Sequence, residues 1–586
     1  MYTYKVVDRK IILKIRNRLC ETPEELLSSD LFRWVLSRFL KGLGQRNSIL
    51  LNIFENKNNG QISDKDADLL TQTLQFLIKV PANLVPSVVP HSEMFFKDPS
   101  LFSEFIEQLY NFWRSFDRFI ICDSQDDALD QRPYRTFNET IEQLMHLVRF
   151  TYRTIEENIT GDHPRIYRQV RAGAEVASIA VSKAIAQTGN YQKLNDILMI
   201  RQILLYPPLV INPPMNKRTG KFEKISVNPL DILDVDKEEW LCYPAKVGPL
   251  LIYIYFHEKF FELGFSLSNL FELASSHDLE GRRPDAYFLF GARPEQLSKL
   301  EVFPTVFYDD EKNGVLVAAS PSSDEFGYFG YLKKMTLTLH NIKMMKEKKM
   351  PFHGALVRII LKGNKDVTIL LIGDTGAGKS ETLEAFRQIG KDVIQDLIVV
   401  ADDMGSLDIN EHGDIIGYGT EIGAFLRIDD LQPGYAFGQM DRSIIMNPNK
   451  INARIVLPVT NFENVIKGHK VDFVLYANNY ESIDEEHPII EKFEDAQQAI
   501  SIFKEGTVMS KGTTTTTGLV HSYFANVFGP PQYKTLHDEI AQRFFNAFFD
   551  RKLFVGQMRT RLGIHGFEME GPKKAAEELL NMILHH

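Results

Sequence analysis

Cysteine is scarce in this chain. Its 586 residues include three, Cys20, Cys122 and Cys242, far apart and odd in number. That excludes a disulfide framework and suggests a reducing compartment. Long apolar runs are lacking too. No stretch approaches the roughly 18 uninterrupted apolar residues that a spanning helix needs. The opening residues, Met1-Tyr-Thr-Tyr-Lys-Val-Val-Asp-Arg-Lys, hold no apolar signal core. There is no basic excess, since the net charge is −10, which argues against a general nucleic-acid binder. It does not argue against a nucleotide site, where local charge decides. No convincing repeat is visible. What is there, 44% hydrophobic and 25% charged residues, fits an ordinary globular protein. The expectation is a cytoplasmic enzyme with neither membrane nor nucleic acid as partner.

The length leads us to expect about two to four domains. Residues 1–205 read as a mostly α-helical region whose role is not readable. Phe105 to Phe116 carries apolar residues at helical spacing. A second helix is expected from near Thr136, with Glu139 as capping-box partner and Ile141, Leu144, Met145, Val148 and Tyr152 on its apolar face. A third is expected from about Ile166 to Ala186, rich in Ala and Val. Residues 206–230 turn Pro-rich and then polar, as a linker or extended arm would. Beyond them short strands and helices mix. Strands are expected at Ala286-Tyr-Phe-Leu-Phe and Gly314-Val-Leu-Val-Ala-Ala. Strands and turns dominate from Leu356 until helices return at about Tyr533–Phe549 and Pro572–Leu584. The five threonines Thr513–Thr517, between Gly512 and Gly518, suit an edge strand or a ligand-facing loop.

One stretch organises the rest. Val367-Thr-Ile-Leu-Leu-Ile leads into Gly373-Asp374-Thr375-Gly376-Ala377-Gly378-Lys379-Ser380. This fits G-x-x-x-x-G-K-[ST], the phosphate-binding loop. Glycines let successive N–H groups curl inward at phosphate oxygens, and the following helix adds its positive end. Lys379 can reach the outer phosphates, and the Ser380 hydroxyl can bind Mg²⁺. Next comes Leu397-Ile-Val-Val-Ala-Asp402-Asp403, an apolar strand delivering two acids. One acid can hold the metal on the phosphates, and the other can orient or deprotonate an acceptor. Upstream, a two-stranded hairpin could bring His353 beside Asp403. Downstream, Arg454 opens an apolar strand, where an arginine often forms only a surface ion pair. Beside a phosphate site it could neutralise transferring charge.

These residues together resemble two related families of phosphate-loop kinases. Tyr328-x-Gly-x-x-Lys-Lys334, His353, Asp402-Asp403 and Asn452-Ala-Arg454 resemble segments of phosphoenolpyruvate carboxykinase. Glu421-Ile-Gly-Ala is similar to its Glu-Gly-Gly-Cys motif, and Gly281-Arg-Arg283-Pro to its substrate-arginine motif, with Arg282 and Arg283 both open. His353-Gly-Ala-Leu-Val, the loop through Glu381 and Val400-Ala-Asp-Asp403 are locally closer to HPr kinase/phosphorylase. The likeness covers about residues 280 to 570. It implies an α/β fold, a mixed-sheet P-loop kinase core. The expected layout is a helical region over 1–205, a substrate-side α/β domain over 206–320 and a nucleotide- and metal-binding domain over 321–586.

For the site, the resemblance implies Lys379, Asp402, Asp403, His353 and Arg454 as catalytic residues. Nucleotide would lie on residues 373–380, Glu421 and Thr515. Substrate would lie on Arg283, Tyr328, Lys334 and Arg454. Lys334, His353, Asp403 and Ser380 would hold Mn²⁺ and Mg²⁺. The implied reaction converts oxaloacetate to phosphoenolpyruvate and CO₂, with ATP or GTP as donor. Two departures keep the donor open, pyrophosphate included. Tyr331 stands where ATP-type carboxykinases carry an acid, and Thr-Thr-Thr-Thr-Thr-Gly replaces the usual Thr-Glu-Pro of the base loop. The alternatives are a kinase for a hydroxyl of a protein or small molecule, and a nucleotide-binding regulator without turnover.

Overall fold

A computed structural model describes the chain apart from residues 1, 16–18, 56–60, 124–131, 164–165, 168, 182–188, 219–221, 301, 303, 364, 391, 431–437, 512–516 and 586. It is a mixed α/β protein of two compact units. The first comprises Met1–Ser182 and Ile200–Tyr206, the second Lys183–Met199 and Pro207–His586. Among the described residues no helix is long and apolar enough to cross a membrane.

The first unit packs helices Asp30–Gln45, Asp64–Leu77, Pro99–Arg114 and Arg132–Thr160 with a sheet that the sequence reading did not foresee. Tyr2–Val7 and Lys10–Ile15 form an antiparallel hairpin. Lys10–Ile15 runs parallel to Asp117–Asp123, which runs parallel to Val176–Val181. The helix starts are set by side chains that accept from backbone N–H groups, Ser29 from Phe32 and Asp98 from Leu101. Phenylalanines 39, 54, 95, 102 and 105 fill the core. The described residues from Ile166 to Val181 form no helix where one is expected to run to Ala186; residues 168 and 182–186 lie outside the described residues. Val176–Val181 is a strand, buried at every position. A short run that is apolar but for Ser178 suits a buried strand as well as a buried helix, and its β-branched residues tip the balance. The second expected helix starts at Arg132, so Thr136 lies inside it and not at its start.

In the second unit one sheet runs from the hairpin Trp240–Val247 and Leu250–His257 through Ala286–Ala292 and Val315–Pro321 to Val306–Asp310 and Glu223–Ile225. A second sheet is built on the long strand Met350–Leu361. That strand pairs antiparallel with Asp366–Ile372, Ile394–Ala401 and Met404–Ile409. Asp366–Ile372 then runs parallel to Phe473–Asn478, and that strand parallel to Phe554–Arg559. Gly354 is required at the crossing of these pairings, because a Cβ there would stand 2.5 Å from the Leu371 carbonyl oxygen. A third, smaller sheet orders Gly423–Arg427, Arg454–Pro458, Ile444–Met446 and Leu209–Ile211. The last of these belongs to the Pro-rich arm, which is thus extended and paired.

Helix Phe329–Lys346 packs against Val315–Pro321 of the first sheet and Met350–Leu361 of the second. It is buried around most of its circumference, with polar and apolar residues on every side. Its polar residues, Lys333, His340 and Asn341 among them, therefore need partners inside the protein.

Candidate functional site

The glycine-rich stretch folds as its spacing predicts. Strand Asp366–Ile372 ends in a loop, and helix Lys379–Ile389 begins directly after Gly378. Gly376 and Gly378 have φ of +81° and +96°. Gly378 has no alternative, since a Cβ there would sit 2.7 Å from Thr560 Oγ1. Within the loop, Ala377 N–H donates to the Asp374 carbonyl at 3.1 Å. Lys379 Nζ donates to the carbonyls of Gly373 at 2.5 Å and Asp374 at 3.0 Å. Gly373 is buried, Thr375 and Ser380 exposed.

The acids arrive where the strand pairing puts them. Asp402 and Asp403 form the turn between Ile394–Ala401 and Met404–Ile409, and both strands pair with the strand of His353. Gly354 N–H donates to the Asp403 carbonyl at 2.9 Å, which fixes the turn against that strand. His353 Nε2 lies 2.9 Å from Asp403 Oδ1, and His353 Nδ1 lies 3.8 Å from Asp374 Oδ1 of the loop. Loop, histidine and acid pair are one cluster.

The lysine that pairs with Asp403 is Lys333. Its Nζ stands 2.8 Å from Asp403 Oδ2 and 3.4 Å from Glu421 Oε1. Its neighbour Lys334 makes no ion pair with Asp403 but has its Nζ 4.7 Å from the Phe528 ring, where Asp403 and Asp374 still act on its charge. The two titrate in opposite directions. Burial opposes the charge on Lys333, but Asp403 and Glu421 overcome it and hold the ammonium charged. Burial, reinforced by Arg218, pulls Lys334 down to about 8, so a neutral amine is accessible near physiological pH.

The carboxyls diverge as well. Burial and the charge of Asp403 raise Asp402. Burial alone would raise Asp403, yet Lys333 and His353 hold it well below the usual carboxylate range. Burial pushes Glu421 up to about 8 against the pull of Lys333. Neither Glu421 oxygen has a close hydrogen-bond partner, and the nearest cation is Lys333 Nζ. Glu421 is thus sealed beside Lys333.

Arg454 opens strand Arg454–Pro458 with its guanidinium 5.3 Å from the Phe425 ring. Its Nε is buried without a hydrogen-bond partner. Tyr328 lies within hydrogen-bonding reach of it. Burial raises the Tyr328 phenol, while Arg454, Lys333 and Arg218 pull against that rise. Arg218 comes from the extended arm, its guanidinium 5.2 Å from the Phe222 ring and 5.9 Å from the Phe528 ring. Arg218, Lys334 and Arg454 therefore line a cationic wall with Tyr328. The other proposed substrate arginine is placed differently. Arg283 is exposed in the turn before Ala286–Ala292 and makes none of the contacts that join the cluster. Arg282 is tied to the Pro249 carbonyl and Asp285. Thr515 lies outside the described residues.

His353 and Asp403 are the two groups at the centre that could take part in holding a divalent ion. His353 Nδ1 faces the Ala525 carbonyl, which can only accept, so Nδ1 carries hydrogen. That leaves the Nε2 lone pair aimed at a carboxylate, an arrangement that calls for a cation there, either a second proton or a metal. A histidine that donates its far N–H to a backbone carbonyl is the usual support of a metal-binding imidazole. Lys334 can add a neutral nitrogen. Among the described residues no group of three or more His, Cys, Asp or Glu is placed to hold a metal. The candidate set has two of these and an amine.

Four participants carry no mark in the sequence reading: Arg218, Ala525 through its carbonyl, and Asn479 and Thr560, whose side chains donate to the loop carbonyls of Gly376 and Ala377. Arg218 sits in a polar stretch whose composition signals only a linker. Compared with known proteins, the chain matches no family model and no curated protein.

Proposed function

We propose that the second unit is a metal-dependent phosphotransferase whose acceptor is a small carboxylate, with the carboxykinase reaction as the leading case. The observation that carries this reading is the meeting of His353, Asp403 and the glycine-rich loop beside a cationic wall. His353 Nε2 lies 2.9 Å from Asp403 and Nδ1 lies 3.8 Å from Asp374 of the loop. The loop amides and Lys379 would bind the donor's phosphates, and Arg454 and Arg218 would clamp the carboxylate and the transferring phosphoryl group. Tyr328 would orient the carboxylate beside Arg454. A divalent ion, Mn²⁺ or Mg²⁺, on Lys334, His353, Asp403 and Ser380 would neutralise charge on phosphate and enolate oxygens.

In that reaction the C–C bond to the departing carboxylate of oxaloacetate breaks. Its electron pair forms the enolate, CO₂ leaves, and the enolate oxygen takes the terminal phosphoryl group as the bond to the donor breaks. Lys333 keeps Asp403 ionised throughout, and burial keeps bulk water from the enolate.

Asp402 supports a second reading. It is a partly buried acid with a raised pKa in the same turn, and it could take a proton from a hydroxyl acceptor. One assay separates the two. The protein is incubated with Mn²⁺, Mg²⁺ and ATP, GTP or pyrophosphate, with oxaloacetate or with hydroxyl acceptors. Phosphoenolpyruvate formation supports the first reading. Its absence with every donor sinks it, and phosphate transfer to a hydroxyl establishes the second.

A further inference from the structure

The geometry points to Asn479 and Thr560 as positioning residues that preset the glycine-rich loop for phosphate. This rests on the reading of that loop as the phosphate site. The loop's sequence gives it freedom, with three glycines in six residues from Gly373 to Gly378. Glycine has no preferred sign of φ, so an isolated loop of this composition would spread over many conformations. Only some of these point N–H groups at one anion, so something outside the loop must select among them.

Two side chains do so. Asn479 Nδ2 donates to the Gly376 carbonyl at 2.9 Å. Thr560 Oγ1 donates to the Ala377 carbonyl at 2.7 Å. They pin successive peptides. The C=O and N–H of a trans peptide point in opposite directions, so a carbonyl drawn onto the protein body turns the next N–H away from it. Holding the Ala377 carbonyl thus directs the Gly378 N–H outward, at the head of helix Lys379–Ile389. Holding the Gly376 carbonyl fixes the peptide whose N–H closes the turn on Asp374.

Both residues are themselves immobilised. They follow the ends of the next two strands out from the loop strand, Phe473–Asn478 and then Phe554–Arg559, all three parallel. Both are fully buried. Thr560 N–H donates to the Asn478 carbonyl at 2.7 Å. Asn479 uses its whole amide. Oδ1 accepts from Met509 N–H at 2.8 Å, and Nδ2 also donates to the Met509 carbonyl at 2.9 Å. Asn479 therefore joins the loop to strand Thr507–Lys511, which leads into the threonine run. Neither side chain is charged, and neither is placed to touch a phosphate. They act through the loop backbone.

The test measures binding of Mg²⁺–ATP and of inorganic tripolyphosphate to the full chain by titration calorimetry, with thermal melting alongside. Thr560→Val keeps the volume and removes the donor, and Thr560→Ser restores it. Asn479→Asp keeps the acceptor for Met509 N–H and removes both donated bonds. Thr560→Val and Asn479→Asp are expected to bind both probes about 5- to 30-fold more weakly, the scale of one well-placed hydrogen bond. Thr560→Ser is expected to bind as the parent does, which a general loss of packing would not produce. Should Thr560→Val and Asn479→Asp bind both probes like the parent protein, the inference is overturned. A parent protein that binds neither probe overturns the phosphate-loop reading itself, and the inference with it.

Discussion

Glu421→Gln isolates the electrostatics of the buried cluster. The Glu421 side chain is fully enclosed, its oxygens lack close hydrogen-bond partners, and its nearest cation is Lys333 Nζ at 3.4 Å. Its carboxyl titrates at about 8 in the folded protein, against a reference value of 4.5. The native state therefore holds a proton that the unfolded chain has released between these two values. Stability falls as pH rises through that window and is flat on either side. At about 1.4 kcal/mol per pH unit, the cost of this group is about 1 kcal/mol at pH 5, about 3 at pH 7 and about 4–5 at pH 9. A glutamine in its place would imitate the neutral acid and carry no such dependence. Urea unfolding of parent and variant at these three pH values should show the variant gaining about 4 kcal/mol on the parent from pH 5 to pH 9. Two stability curves that stay parallel within about 0.5 kcal/mol across that range would refute the assignment of a buried neutral acid.

Lys379→Ala should abolish phosphoryl transfer while the melting temperature stays within a few degrees of the parent; unchanged turnover would defeat the site assignment. Gly378→Ala adds a side chain at φ +96° and 2.7 Å from Thr560 Oγ1. It should cost about 1–3 kcal/mol in urea unfolding and remove tripolyphosphate binding. In the first unit, Arg118 is buried and donates to the carbonyls of Gly173 at 2.7 Å, Phe116 at 2.8 Å and Trp113 at 3.1 Å. Arg118→Met leaves those carbonyls and the Glu175 carboxylate without their cation, so urea unfolding should show a loss of about 3–5 kcal/mol.

The parts legible in the sequence were those tied to backbone pattern. The apolar run before Gly373 and the helical run after Lys379 announced the strand–loop–helix. The hairpin spacing from His353 brought Asp403 to its side. What stayed hidden depends on which way a side chain faces. Lys333 and Lys334 are adjacent on a helix buried nearly all round, whose polar residues fall on every side, so no stripe tells which one turns toward Asp403. Arg218 reaches the site because its arm pairs through Leu209–Ile211 with Ile444–Met446, a contact between segments more than two hundred residues apart. Asn479 and Thr560 are ordinary polar residues at strand ends, and only their carbonyl partners mark them. Val176–Val181 was missed because six buried residues show neither helical nor strand periodicity.

The division of the chain bears on how the protein can be cut. Residues 183–199 belong to the second unit, yet residues 200–206 return to the first before the chain goes back at Pro207. No single cleavage point therefore yields both units whole. A fragment starting at Pro207 would lack Tyr191, whose hydroxyl donates to Asp310 at 2.7 Å and whose ring stacks on Tyr287 at 4.9 Å. It would keep the glycine-rich loop but open a hole in the apolar cluster that also holds Leu194 and Ile197. A fragment ending at Ser182 would lose the strand that borders Val176–Val181, baring a hydrogen-bonding edge that invites aggregation. Dissecting the two units calls for reconnecting the chain, with residues 183–199 grafted onto the second and 200–206 left with the first.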